Sequence, residues 1–169
     1  MGGLTTAEVV RRHQKIGLDS NVFIYLIEDV PPWAEPVAEL LTAVDAGATA
    51  AVMSAIGLTE ILCGPARDGD LGRLERNRDD IGAISGLTIV PLTPDVAVDA
   101  AVIRGVRGIT LPDAIHLASA RAVGATAFIT NDRRVRGSSK LEVVYLDDLV
   151  PFAPQPITVP GMRSGRPPG

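Results

Sequence analysis

The chain has 169 residues, the size of one ordinary domain, and a chain of ~150 residues buries roughly two thirds of its unfolded surface without a metal or disulfide staple. Its composition, 46% hydrophobic, 21% charged and 4% aromatic, describes a core of Ala, Val, Leu and Ile and excludes a disordered or collagen-like chain; the lone Cys63 excludes an internal disulfide. The net charge of −4, from 16 basic and 20 acidic residues, argues at first against a nucleic-acid partner, since phosphate backbones are held mainly by Lys and Arg.

Residues 1–15 form a polar leader with one short helix expected around residues 7–12, and they lack the charged-then-apolar order of a signal peptide. From residue 16 to 150, short apolar runs alternate with longer stretches of helical period, the pattern of βαβ units and a parallel sheet. Strands are predicted at residues 16–18, 50–53, 87–91, 127–130 and 142–146. Between them, Val37, Leu40, Leu41 and Val44 mark one helical stripe, and Ile115, Ala118 and Ala122, with Leu111 nearby, mark another. Residues 68–84, of mixed charge with Leu71, Leu74, Ile81 and Ile84 apolar, read as a long surface helix. Residues 151–169 hold six Pro and three Gly and read as a tail outside the fold. No apolar run reaches the ~18 residues of a membrane span, and a reducing cytoplasm is the expected setting for a chain with one cysteine.

In an open parallel sheet, ligands bind beyond the carboxyl ends of the strands, so position matters more than residue type. Asp19 follows the first predicted strand and Asp132 the fourth; Asp113 opens the helix that leads into that fourth strand, and Glu60 lies on the helix after the second. Taken singly, Asp19, Asp113 and Asp132 read equally well as a helix cap, a dipole partner and a turn residue. Glu60 is harder to explain that way, because a charge within an apolar helix face is rare unless paired. Gathered together, four carboxylates repel by several kcal/mol per close pair and imply either a cation among them or raised pKa values. An all-oxygen set suits Mg²⁺ or Mn²⁺, ions that share their site with substrate phosphates. Setting those acids aside leaves 16 residues of each sign, and the stretch from Ile103 to Lys140 is locally basic. Arg133, Arg134 and Arg136 stand directly after Asp132 as candidate contacts for RNA phosphates.

The residues resemble those of PIN-domain ribonucleases, and among them the toxins of VapBC-type toxin–antitoxin pairs. The resemblance rests on Leu18-Asp19-Ser20-Asn21, Thr59-Glu60-Ile61, the run Leu111-Pro112-Asp113-Ala114-Ile115-His116-Leu117-Ala118, and Thr130-Asn131-Asp132. It implies a three-layer α/β sandwich around a five-stranded parallel sheet of order 3-2-1-4-5. It also implies that Asp19, Glu60, Asp113 and Asp132 are the catalytic, metal-binding acids, with Ser20, Asn21 and Thr130 flanking them. The implied activity is Mg²⁺- or Mn²⁺-dependent hydrolysis of RNA by a homodimer that a small antitoxin protein silences.

His116, three residues after Asp113, reads more naturally as a packing residue than as a ligand or base, and Tyr25, Trp33 and Tyr145 are too scattered for a stacking platform. A dehalogenase-type phosphomonoesterase would need a second Asp two positions after Asp19, where Asn21 stands, and no GxxxxGK, GxGxxG, HExxH or GxSxG occurs. The remaining alternative is a non-catalytic PIN-like module that binds RNA or serves as a scaffold.

Overall fold

A computed structural model of the chain describes residues 4–150; the Pro/Gly-rich segment 151–169 lies outside the described residues. In chain order the elements are β1 (Leu4–Thr5), α1 (Thr6–Arg12), β2 (Lys15–Leu18), α2 (Ser20–Ile27), α3 (Ala34–Asp45), β3 (Ala50–Ser54), α4 (Ala55–Arg67), α5 (Leu71–Gly82), β4 (Leu87–Val90), α6 (Pro94–Arg107), α7 (Leu111–Ala122), β5 (Ala127–Thr130), β6 (Glu142–Tyr145) and β7 (Leu149–Val150). Each of the five strands predicted from the sequence is present, within one residue at either end.

Those five strands form a parallel sheet ordered β4-β3-β2-β5-β6. Counted within that sheet alone, the order reads 3-2-1-4-5. Strands this short and this apolar are stable only when both faces are covered, and the period of two sends alternate residues to opposite layers. Ile16, Leu18, Ala51, Met53, Ala127 and Ile129 join Val9, Phe23, Val37, Leu40 and Ile81 in one core, against α1, α2, α3 and α5. Val52 and Phe128 point the other way, to Ala100, Ile103, Ala114 and Leu117 of α6 and α7. Gly17 is the point of closest approach: a Cβ there would lie 2.7 Å from Ala120 Cβ and 2.7 Å from Phe128 Cδ2, so glycine lets α7 settle on the central strand.

From Leu4 onward the leader is folded. Thr5 and Glu8 close a reciprocal capping box at the start of α1, and β1 pairs in parallel with β7, a pairing that two-residue strands give no periodicity to foresee. The stripe expected on α7 needs correction. Leu111 and Ala122 are exposed, whereas every residue from 114 to 120 is buried, because the helix is covered by the sheet on one side and by α6 and α4 on others. The long surface helix expected over residues 68–84 is α5, shortened at its start because the Asp70 carboxylate accepts the Arg73 N–H at 2.8 Å and caps it. Trp33 and Tyr25 stack at 4.5 Å, as packing residues do.

Candidate metal centre

Asp19 and Thr130 end two neighbouring parallel strands, whose register pairs Leu18 with Ile129. Both therefore emerge at one edge of the sheet. Asp19 donates its backbone N–H to Ile129 O at 3.0 Å and serves as the N-cap of α2. Its Oδ1 accepts from the Ser20 N–H at 2.7 Å, while Oδ2 accepts from Thr130 Oγ1 at 2.5 Å. The carboxylate is thus fixed from two sides and is only 5% exposed.

Two helices bring further groups to it. Ser54, at the end of β3, caps α4 by accepting the Gly57 N–H at 3.0 Å, and Glu60 lies near the middle of that helix. On α7, capped by Thr110, Asp113 occupies the first turn and His116 the next. His116 Nε2 meets Glu60 Oε2 at 3.0 Å and approaches Asp19 Oδ1 to 3.8 Å; its Nδ1 is 2.7 Å from Ser54 Oγ. Asp19, Glu60 and His116 each offer one ligand atom, all within 4.8 Å of one another.

The four expected acids are not placed alike. Asp113 hydrogen-bonds through Oδ2 to Thr110 Oγ1 and stands outside that trio, yet its charge is felt at both Asp19 and His116. Asp132 is tied to Thr130, whose Oγ1 accepts its backbone N–H at 3.0 Å, and its carboxylate is forked by Arg134 at 2.5 Å. Ser20 donates its backbone N–H to Asp19 Oδ1, and its side chain helps to hold the Glu60 carboxyl low. Asn21 leaves a buried Oδ1 with no hydrogen-bond partner among the described residues. The neighbouring arginines are partly engaged: Arg133 forks Asp148 and covers the Tyr145 ring at 4.2 Å, while Arg136 is exposed and forms no ion pair among the described residues. Sequence reasoning undervalued His116; its one signal was the three-residue spacing from Asp113, which puts both on one helix face.

Electrostatics follow from this geometry. Burial pushes the Asp19 carboxyl up from its ordinary value of 3.8, against the pull of Thr130 and His116, and Asp113 adds to the rise. Glu60 is held below 4.5 by the His116 hydrogen bond, against partial burial. Burial alone would lower His116, yet the Glu60 hydrogen bond and the charges of Asp19, Glu60 and Asp113 outweigh it and raise the ring above 6.5. Asp132 is held low by its hydrogen bonds from Arg134. Among the described residues, no Lys or Arg forms an ion pair with Asp19, Glu60 or Asp113, and the imidazole of His116 is the one basic group in contact with Asp19 and Glu60. A buried carboxylate so short of positive charge, beside two more acids, has the donor chemistry of a divalent-cation site.

A parallel sheet of this order, with helices on both faces and Asp19, Glu60 and His116 brought together at its carboxyl edge, defines a three-layer α/β fold. Within it the chain belongs to the PIN domain family, whose model matches residues 16–140. Solved structures agree in fold. A chain of VapBC2 from Rickettsia felis, bound to a DNA fragment from its promoter, is 18% identical with a TM-score of 0.61, covering 78% of this chain and 98% of that one. A chain of a DNA-bound VapBC from Salmonella typhimurium is 21% identical with a TM-score of 0.59 over 78% and 98% of the two chains. A chain of a toxin–antitoxin complex from Klebsiella pneumoniae is 23% identical with a TM-score of 0.55 over 75% and 94%. No curated protein matches the chain significantly by sequence. Among the described residues no helix is long and apolar enough to cross a membrane.

Proposed function

We propose that the chain is a metal-dependent endoribonuclease and the toxin of a type II toxin–antitoxin pair. The observation that carries the proposal is the buried Asp19 carboxylate at the sheet's carboxyl edge, with Glu60 brought to it, the charge of Asp113 acting on it, and no Lys or Arg paired to any of the three among the described residues. Asp19, Glu60, Asp113 and Asp132 are the residues proposed to hold Mg²⁺ or Mn²⁺. Such an ion, when bound, supplies the positive charge that activates water toward phosphorus and offsets charge gathering on the phosphate. Thr130 orients Asp19 and ties in the backbone of Asp132. Ser20 steadies the same carboxylate, and Asn21 lies beside it in sequence. Arg136 is exposed to meet the RNA backbone, and Arg133 and Arg134 lie on the same segment.

The toxin role is supported by the likeness to chains of toxin–antitoxin complexes and by a groove that suits a protein partner. Phe23, Leu26, Ile27, Leu41, Ile81 and Ile84 line an open groove of about 490 Å³ between α2, α3 and α5, with Asp45 and Asp80 at it. A small antitoxin would lay an apolar, basic-edged helix there. For the homodimer, α6 presents Val98, Val102 and Val106 at four-residue spacing, 66%, 58% and 80% exposed, an apolar strip suited to burial against a second copy.

The His116–Glu60 bond favours a second reading, because an imidazolium can balance the acids without a metal and leave a non-catalytic RNA-binding or scaffolding module. RNA cleavage by the purified protein separates the two. The nuclease cuts with Mg²⁺ or Mn²⁺ and stops with EDTA or Asp19→Asn; equal outcomes in all three conditions end the nuclease reading. A phosphomonoesterase would instead hydrolyse a small phosphate ester and spare RNA.

A further inference from the structure

The acids alone would make an all-oxygen site, but an imidazole nitrogen reaches in between two of them. His116 is 3% exposed, and its position is set from behind: Ser54 Oγ lies 2.7 Å from Nδ1, and the same hydroxyl is anchored by accepting the Gly57 N–H at 3.0 Å. The helix bearing Glu60 can lie this close because residue 57 is glycine. A Cβ there would sit 2.9 Å from Met53 Cγ and 3.5 Å from His116 Cε1. With Nδ1 occupied by Ser54, the other ring nitrogen faces the carboxylates, hydrogen-bonded to Glu60 Oε2 at 3.0 Å and 3.8 Å from Asp19 Oδ1.

The hydrogen bond holds the two atoms at a spacing that ligands of one ion can also take once the ring nitrogen gives up its proton. Two donors at right angles around a cation with bonds near 2.1 Å stand about 3 Å apart, which is the Nε2 to Oε2 separation. Asp19 is presented to the same point, because Thr130 holds Oδ2 and leaves Oδ1 toward the ring. The engagement of the opposite ring nitrogen by a hydroxyl is the arrangement that orients a metal-binding histidine.

We infer that His116 Nε2 is a ligand of the cation site, with Ser54 as its positioning residue, and that the site therefore prefers a first-row transition ion to Mg²⁺. Mg²⁺ is a hard ion served by oxygen and reluctant to shed water, whereas imidazole suits zinc, iron, nickel and copper, and Mn²⁺, though oxygen-seeking, exchanges water for nitrogen more readily than Mg²⁺ does. The inference rests on the proposal that these acids hold a divalent cation, and it names the additional ligand and its effect on selectivity.

The test uses the full chain, Mn²⁺ or Mg²⁺ alone as probe, and binding rather than activity as readout. Calorimetric titration of the wild type, His116→Gln and Ser54→Ala is expected to show His116→Gln weakening Mn²⁺ binding at least tenfold while Mg²⁺ binding changes less than about twofold. Ser54→Ala is expected to weaken Mn²⁺ in the same direction, within the 10- to 100-fold range of an outer partner of a ligand. Pulsed electron paramagnetic resonance of the Mn²⁺-loaded wild type is expected to show coupling to a directly bound histidine nitrogen. This reading needs no variant and decides the matter should His116→Gln fail to fold. Equal loss of both ions, or no nitrogen coupling in the wild type, overturns the inference while the cation site stands. Failure of both ions to bind the wild type overturns the inference and the cation-site proposal together.

Discussion

Thr130 Oγ1 donates a 2.5 Å hydrogen bond to Asp19 Oδ2 across 111 positions of sequence, joining the ends of β2 and β5. The same hydroxyl accepts the Asp132 N–H, so one side chain orients two of the expected acids. Thr130→Val keeps the shape and removes the hydroxyl. It is expected to lower stability by about 1–3 kcal/mol by leaving buried polar groups unpaired, and to weaken divalent-cation binding by roughly 10- to 100-fold. Chemical denaturation and calorimetry check the two effects; a Val variant matching the wild type in both would remove Thr130 from the site.

Asp19→Asn leaves a side chain of the same size that can still accept the Ser20 N–H. The fold is expected to persist, while RNA cleavage falls by at least about 100-fold, since losing a ligand should outweigh losing an outer-shell partner. Circular dichroism and a cleavage time course on the same preparation check both parts.

The metal-free protein is expected to become less stable as pH rises through neutrality. His116 has a folded pKa raised above its ordinary 6.5, so its contribution is complete below that value and is lost as pH climbs through the raised one. Asp19, also raised, is folded in its protonated form more readily than it is unfolded, and it penalises folding once pH exceeds its unfolded value of 3.8. Glu60 runs the other way, stabilising above its unfolded value and losing that only in acid, as pH falls through its depressed folded value. Thermal melts in EDTA at pH 6 and pH 8 check the sign, and His116→Gln should flatten the difference. A wild-type protein more stable at pH 8 would contradict the assignment of these charges.

Gly17→Ala is expected to destabilise by about 1–3 kcal/mol, as overpacking does. Its Cβ would lie 2.7 Å from Ala120 Cβ, on the helix that also carries Asp113 and His116. Denaturant unfolding checks the stability, and reduced cation affinity in the same variant would show that α7 has shifted.

The sheet was legible because its strands are short apolar runs with turn signals between them, and the edge bearing the site followed from where Asp19 and Asp132 end two such runs. Glu60 stood out as a charge within an apolar helix face, and the fold brings it to Asp19. The role of His116 was hidden because its environment comes from β3 and α4, far away in sequence: Ser54 and Glu60 supply its partners. The engagement of Arg134, a candidate for phosphate contact, is local: a two-residue separation from Asp132 lets the guanidinium fold back onto that carboxylate. The β1–β7 pair carries too few residues for any period to register.

The central claim is that oxygens from Asp19, Glu60 and their acidic neighbours form one seat for a divalent ion. Crystals soaked in Mn²⁺ and measured at its absorption edge test this directly. A single strong anomalous peak within bonding distance of Asp19 and Glu60, lost in Asp19→Asn, is the result predicted. A map with no peak at the carboxyl edge of β2 and β5, or with manganese only on surface carboxylates elsewhere, would contradict it.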